Sequence, residues 1–124
     1  MSITIDSRER RLIEIMNERG YAFSVETLIN GDIQICSDKT ILIERKTIPD
    51  FYASIRDNRF SDQKMRMKQT EADHKIYVIE GLDTDDGRMN FPSDFLNKTL
   101  WTILLSENIQ IIRTNGIFET IKFI

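Results

Sequence analysis

Between Lys75 and Glu80 stand four apolar residues in succession, Ile76, Tyr77, Val78 and Ile79, with no polar residue among them. Strand side chains alternate between two faces, so a strand written this way offers neither face to water and belongs inside a sheet that helices cover. The flanking sequence supplies the other layers. Ile3 and Ile5 alternate with small polar residues and predict a short strand ending at Asp6. Leu12, Ile13, Ile15 and Met16 recur at helical spacing, with Gly20 as a stop signal after Arg19. Residues 21–28, rich in aromatic and β-branched types, predict a second strand, and Asn30-Gly31 marks a turn. Ile33 and Ile35 belong to a third strand, Ser37-Asp38-Lys39 form a polar connection, and residues 40–46 return as an apolar fourth.

Pro49 suits only the first turn of a helix, with Thr47 as its cap. Phe51, Tyr52 and Ile55 make that helix's apolar stripe, Asp57-Asn58 interrupts it, and a second helical stretch runs from about Ser61 to Glu71. After the strand at 75–80, Phe91-Pro92-Ser93-Asp94 introduces a helix carrying Phe95, Leu96, Leu100, Ile103 and Leu104. A buried strand at 109–113 and a helix from about Asn115 close the chain. This order predicts an α/β domain, a mixed β-sheet flanked by α-helices.

With 124 residues the chain fits one core and has little room for a second. No apolar run reaches the roughly 18 residues of a membrane span and the N-terminus lacks a leader's apolar stretch, so an intracellular protein is expected, in cytoplasm, nucleoid or nucleus, with no membrane partner. Cys36 is the only cysteine, which excludes an internal disulfide and a cysteine-based zinc site; any metal needs oxygen ligands. The net charge of −3 is unusual for a nucleic-acid binder, but its distribution is uneven. From Arg45 to Lys68, seven basic residues (Arg45, Lys46, Arg56, Arg59, Lys64, Arg66, Lys68) face three acids (Asp50, Asp57, Asp62), a local balance of +4 that leaves −7 elsewhere. Such a split can present a cationic face to phosphate; a solvated helix surface is the plainer account of the same charges.

In the strand 41–46, alternation sends Ile41, Ile43 and Arg45 one way and Leu42, Glu44 and Lys46 the other. A three-residue loop at 37–39 pairs Cys36 with Thr40 and sets Asp32 opposite Glu44 on one face; a four-residue loop turns Asp32 away. Two carboxylates and a backbone carbonyl suit a hard cation such as Mg²⁺, whose octahedron water and substrate phosphate complete. An adjacent ammonium such as Lys46 would orient the water or stabilise charge on the phosphate. Taken alone, Glu44 and Lys46 are better explained by a cross-strand ion pair.

Asp32 behind Gly31, then Glu44-Arg45-Lys46, then Asp50 after three further residues together resemble the G-D-x(n)-E-R-K-x-x-x-D signature of the XPF family of structure-specific DNA endonucleases. Asp6-Ser7-Arg8-Glu9 resembles the family's D-x-R-E opening, and Ser54-Ile55 followed by Arg59 and Gln63 extends the likeness over residues 5–64. The resemblance implies a restriction-endonuclease-like nuclease core filling residues 1–124 as a single domain. It implies Mg²⁺- or Mn²⁺-dependent cleavage of DNA, branched or flapped, in repair or recombination. Asp32, Glu44 and the Arg45 carbonyl would hold the metal, Lys46 would be the catalytic lysine, and Glu9, on the first helix, would support the metal or its water. Arg8 and Arg45 would organise the acidic cluster or hold phosphate. Arg59, Gln63, Lys64 and Arg66 would follow the DNA backbone, which asks for charge and donors and no base reading. Asp6 and Asp50 are supporting residues, Asp50 equally well a carboxylate placed on a helix dipole.

The family commonly adds a tandem helix-hairpin-helix domain, for which this sequence has no space. That makes a DNA-binding partner protein or a homodimer part of the expectation, with Ile117, Phe118, Ile121, Phe123 and Ile124 either an interface or core. A catalytically inactive DNA-binding or scaffolding relative is the alternative, against which the intact acidic set and Lys46 count. His74 is given no metal or base role, the acidic loop Asp83-Asp85-Asp86-Gly87 is read as a solvated turn, Trp101 as core or interface packing, and Met65 and Met67 as surface contacts.

Overall fold

The computed structural model describes residues 1–57, 59–81, 93–107 and 109–124. The acidic loop at 83–87 and the helix entry at Phe91-Pro92 lie outside them. The elements are β1 (Ser2–Asp6), α1 (Arg10–Glu18), β2 (Ser24–Glu26), β3 (Ile33–Cys36), β4 (Thr40–Thr47), α2 (Ile48–Arg56), α3 (Phe60–Gln69), β5 (His74–Glu80), α4 (Ser93–Glu107), β6 (Gln110–Thr114) and α5 (Ile117–Phe123). Six strands form one sheet in the order β2-β1-β3-β4-β5-β6. The first three neighbours of β4 toward the N-terminal edge include antiparallel pairs, β1 with β3 and β3 with β4, whereas β4, β5 and β6 run parallel.

Helices cover both faces, as the Ile76–Ile79 run demands. On one face Leu42, Tyr77 and Ile79 meet Ile48, Phe51 and Tyr52 of α2, Phe60 and Met67 of α3, and Leu100 and Ile103 of α4. On the other, Ile3, Ile5, Ile33, Ile43 and Val78 meet Leu12, Ile15 and Met16 of α1 and Ile121 of α5. Alternation along β4 assigns its residues to the two sides, so Glu44 and Lys46 belong to the α2–α3 side and Arg45 to the α1–α5 side.

Three local expectations change. The strand expected over 21–28 contracts to three exposed residues, parallel to β1 at the sheet edge; with only one neighbour, the rest of the segment has no ladder to join. Met67 is buried against Phe60 and Tyr77 and is no surface contact, unlike Met65. Of the two places expected for Trp101, core is excluded and interface is not: the side chain is 60% exposed, because the buried stripe of α4 passes through Leu100 and Ile103 and one further residue turns it about 100° toward solvent. The C-terminal residues divide: Ile121 is buried, Ile117 and Ile124 pack against the same cluster, and Phe118 and Phe123 remain exposed. Among the described residues no helix is long and apolar enough to cross a membrane.

Candidate active site

The β3–β4 hairpin has the three-residue register. Cys36 pairs with Thr40 and Ile33 with Ile43, which brings Asp32 to the position opposite Glu44. The ladder then gives way to bonds made by Asp32 itself. Its amide donates to the Ile43 carbonyl at 2.8 Å, its carbonyl accepts from the Asp6 amide at 2.8 Å, and its Oδ2 accepts from the Arg45 amide at 2.7 Å. Gly31 makes this approach possible. Its φ is +79°, and a Cβ there would stand 2.5 Å from Leu42 Cδ1 and 3.3 Å from the Ile43 carbonyl oxygen.

Asp32 and Glu44 share a cleft of about 300 Å³ with Asp6, Arg8, Asn30, Gln63 and Arg66. Burial, the Glu44 charge and the Glu9 charge push the Asp32 carboxyl up from 3.8 to about 8, against the pull of the Arg45 amide. Burial likewise raises Glu44, with Lys46, Arg66 and Arg8 opposing it and Glu9 adding to it. Two carboxylates so placed lack enough positive charge to ionise together comfortably. They meet that need by holding a proton or a cation.

Lys46 follows Glu44 on the same face of β4. Its Nζ reaches Ser54 Oγ at 3.4 Å, and that hydroxyl donates onward to the Asp50 carbonyl at 2.9 Å. Asp50 lies in the first turn of α2, whose cap is Thr47 accepting from the Asp50 amide at 3.2 Å. Its carboxylate therefore has the favourable position on the helix dipole, while its backbone serves the Lys46 contact.

Asp6 is buried and receives Arg8 Nε at 2.8 Å, Arg8 Nη2 at 3.2 Å and the Leu28 amide at 2.8 Å. The Arg8 contacts, opposed by burial, hold its carboxyl below the usual range. Arg8 also donates to the Leu28 carbonyl yet remains largely exposed at the cleft rim. Glu9 stands at the residue before α1 instead of within it and makes no capping bond with its side chain, whose carboxylate pairs with Arg45.

Arg45 points to the opposite face from Glu44 and is 12% exposed. Its Nε and Nη2 donate to Glu80 Oε2 and Oε1, both at 2.8 Å, while Nη1 binds Glu9. Burial works against its charge, but Glu80 and Glu9 outweigh that and raise its pKa. Of the two tasks expected of this residue, organising the acidic cluster and holding phosphate, a guanidinium committed in this way fits only the first. Glu80 itself is missing from the sequence-derived site. It closes an apolar strand and carries no motif, and only the pairing of Arg45 with Val78 in the β4–β5 register would have suggested its direction.

The phosphate-track residues divide in position. Gln63 and Arg66 line the cleft, and the Gln63 Oε1 atom is buried with no hydrogen-bond partner among the described residues. Arg59 precedes α3 and meets Asp57 at 3.4 Å, outside the cleft lining, and Lys64 Nζ lies over the Phe60 ring at 5.6 Å. Among the described residues no three carboxylate, imidazole or thiol side chains are grouped as a ready metal cage. A site of two carboxylates and one carbonyl asks for fewer, and the donor set here is oxygen, as a hard cation prefers.

The model of the ERCC4 domain matches residues 5–124. The crossover junction endonuclease MUS81 of Arabidopsis thaliana is 31% identical over 129 aligned positions, covering 96% of this chain and 19% of the relative. That of Candida glabrata is 43% identical over 81, covering 65% and 12%. XPF from Aeropyrum pernix, solved in complex with DNA, superposes with a TM-score of 0.82 at 25% identity, over 98% of this chain and 60% of its own. The chain thus spans less than a fifth of these curated relatives' length and somewhat over half of the structural one. The mixed sheet with helices on both faces is the restriction-endonuclease-like core that these structures share.

Proposed function

The chain belongs to the ERCC4 domain family of XPF- and MUS81-like nucleases, and from that premise we propose that it is a divalent-metal-dependent DNA endonuclease acting on branched or flapped DNA. The observation that carries the reading is the convergence of Asp32 and Glu44, two partly buried carboxylates that burial and the Glu9 charge both push upward, in a cleft rimmed by Arg8 and Arg66. Outside a site that recruits a cation, such an arrangement is a cost without a return.

Asp32, Glu44 and the Arg45 carbonyl would hold Mg²⁺ or Mn²⁺. When bound, the ion supplies charge neutralisation at the scissile phosphate and makes water a better nucleophile at neutral pH. The chain's own groups do the remaining work. Lys46, steadied by Ser54, presents an ammonium beside Glu44 that stabilises negative charge growing on the phosphate oxygens. Glu9, drawn in by Arg45, supports the acidic cluster. Hydrolysis forms a bond from the water oxygen to phosphorus and breaks the bond to the departing sugar oxygen, which collects the proton that the water gives up. Arg8 and Arg66 at the rim, with Arg59 and Lys64 beyond it, supply the phosphate track. We propose residues 1–124 as one nuclease unit that works with a protein partner, a second copy or a DNA-binding chain, for which the exposed Phe118 and Phe123 of α5 provide apolar surface.

The test is incubation of purified protein with a branched and a linear duplex, in Mg²⁺ and in chelator. Cutting of the branched DNA in Mg²⁺ alone supports the reading. Binding of DNA without cutting of any form under either condition would make the protein a non-catalytic scaffold of the same fold.

A further inference from the structure

We propose that Glu80 and Thr120 are positioning residues that tie the C-terminal helix α5 to the acidic cluster, through Arg45. The chain of contacts is continuous. Thr114 Oγ1 and Thr120 Oγ1 lie 2.8 Å apart, Thr120 Oγ1 donates to Glu80 Oε2 at 2.7 Å, and both Glu80 oxygens accept from Arg45 at 2.8 Å. Arg45 Nη1 in turn binds Glu9, whose carboxylate stands against that of Asp32. The three residues at the far end are buried, Glu80 at 4%, Thr114 at 3% and Thr120 at 1% exposure.

Structural stability alone does not account for such a device. A buried ion pair repays its desolvation poorly, and apolar residues of the same volume usually serve as well or better. What it does provide is direction. A guanidinium gripped by both oxygens of a carboxylate has its plane fixed, so its remaining nitrogen is aimed at one place. Here that place is the Glu9 carboxylate, at the N-terminal end of α1 and beside Asp32. Thr120 removes the last freedom, because Glu80 Oε2 must face its hydroxyl as well as Arg45 Nε. The helix carrying Thr120 thereby enters the geometry of a cluster on the other side of β4 and β5. Phe118 and Phe123 of the same helix are exposed, so a chain docking there would bear on this linkage.

The inference rests on the nuclease reading, and its test separates the two. Thr120→Val keeps volume and removes the hydroxyl; Thr120→Ser restores it. Each full chain is assayed on branched DNA in Mg²⁺ below its melting transition, with DNA affinity measured in chelator. The carboxyl carbons of Glu9 and Asp32 are followed by ¹³C NMR without metal. We expect Thr120→Val to lower kcat by about tenfold, as small misplacements of reacting groups do, with DNA affinity unchanged and both carboxyl resonances displaced, and Thr120→Ser to recover the wild-type values. Unmoved resonances, or a Thr120→Val kcat equal to wild type in an active preparation, would overturn the linkage. Absence of cleavage by the wild type would instead fall on the nuclease reading, and the resonances would still decide this one. If Thr120→Val does not fold, Glu80→Gln is put through the same measurements with the same expected displacement.

Discussion

The carboxylate of Asp32 accepts a hydrogen bond from the backbone amide of Arg45 at 2.7 Å, so the first proposed ligand is fastened to the residue whose carbonyl is another. The same carboxyl is pushed to about 8 by burial and by Glu44. The native state therefore holds a proton that the unfolded chain, with Asp near 3.8, has already released. Stability linked to this group is fully present below the unfolded value and declines as pH rises toward 8. We expect the metal-free melting temperature to fall across that window in wild type and much less in Asp32→Asn, whose amide oxygen still accepts from Arg45. Thermal melts at pH 5, 6, 7 and 8 check this; parallel curves for the two proteins would remove the linkage.

Gly31 sets the position of Asp32. Ala at 31 would adopt a left-handed backbone conformation with its Cβ 2.5 Å from a buried leucine methyl. We predict that Gly31→Ala costs at least 1 to 2 kcal/mol in urea unfolding, a left-handed non-glycine residue plus overpacking. Cleavage should drop beyond what the unfolded fraction explains. A variant as stable as wild type would show that the loop has room to give.

Arg66 lines the cleft and contributes to the field on Glu44, and its Nε makes a long 3.4 Å contact to the Asp62 carbonyl of its own helix. One lost phosphate contact reduces the slope of log affinity against log salt by about one. Arg66→Ala should do this uniformly across DNA sequences, measured by fluorescence anisotropy in chelator. An unchanged slope would take the DNA path away from this rim.

Much of this was readable in the residues, and what was not has physical causes. The three polar residues 37–39 allowed a three- or a four-residue loop, and the pairing of Cys36 with Thr40 decides for the first, which sets Asp32 on the face of Glu44. Glu44 and Lys46 followed from alternation alone. Glu80 did not, since its partner is 35 residues away and only sheet pairing brings it there. Arg45 was legible as part of the motif and, by alternation, in the face it takes, but not in its grip on Glu80. Trp101 and residues 21–28 show the limit of composition, as apolar or β-branched side chains went to an exposed helix face and a sheet edge where few neighbours were available to cover them.

The central claim is that Asp32 and Glu44 together hold the cation on which DNA cleavage depends. The most direct measurement is the rate of branched-DNA cleavage in Mg²⁺ by wild type, Asp32→Ala and Glu44→Ala, each shown folded by circular dichroism. The account predicts loss of cleavage in both variants, by on the order of 10² or more as for removal of a principal charge-stabilising group, with DNA affinity in chelator retained. Cleavage at the wild-type rate by either variant would contradict it.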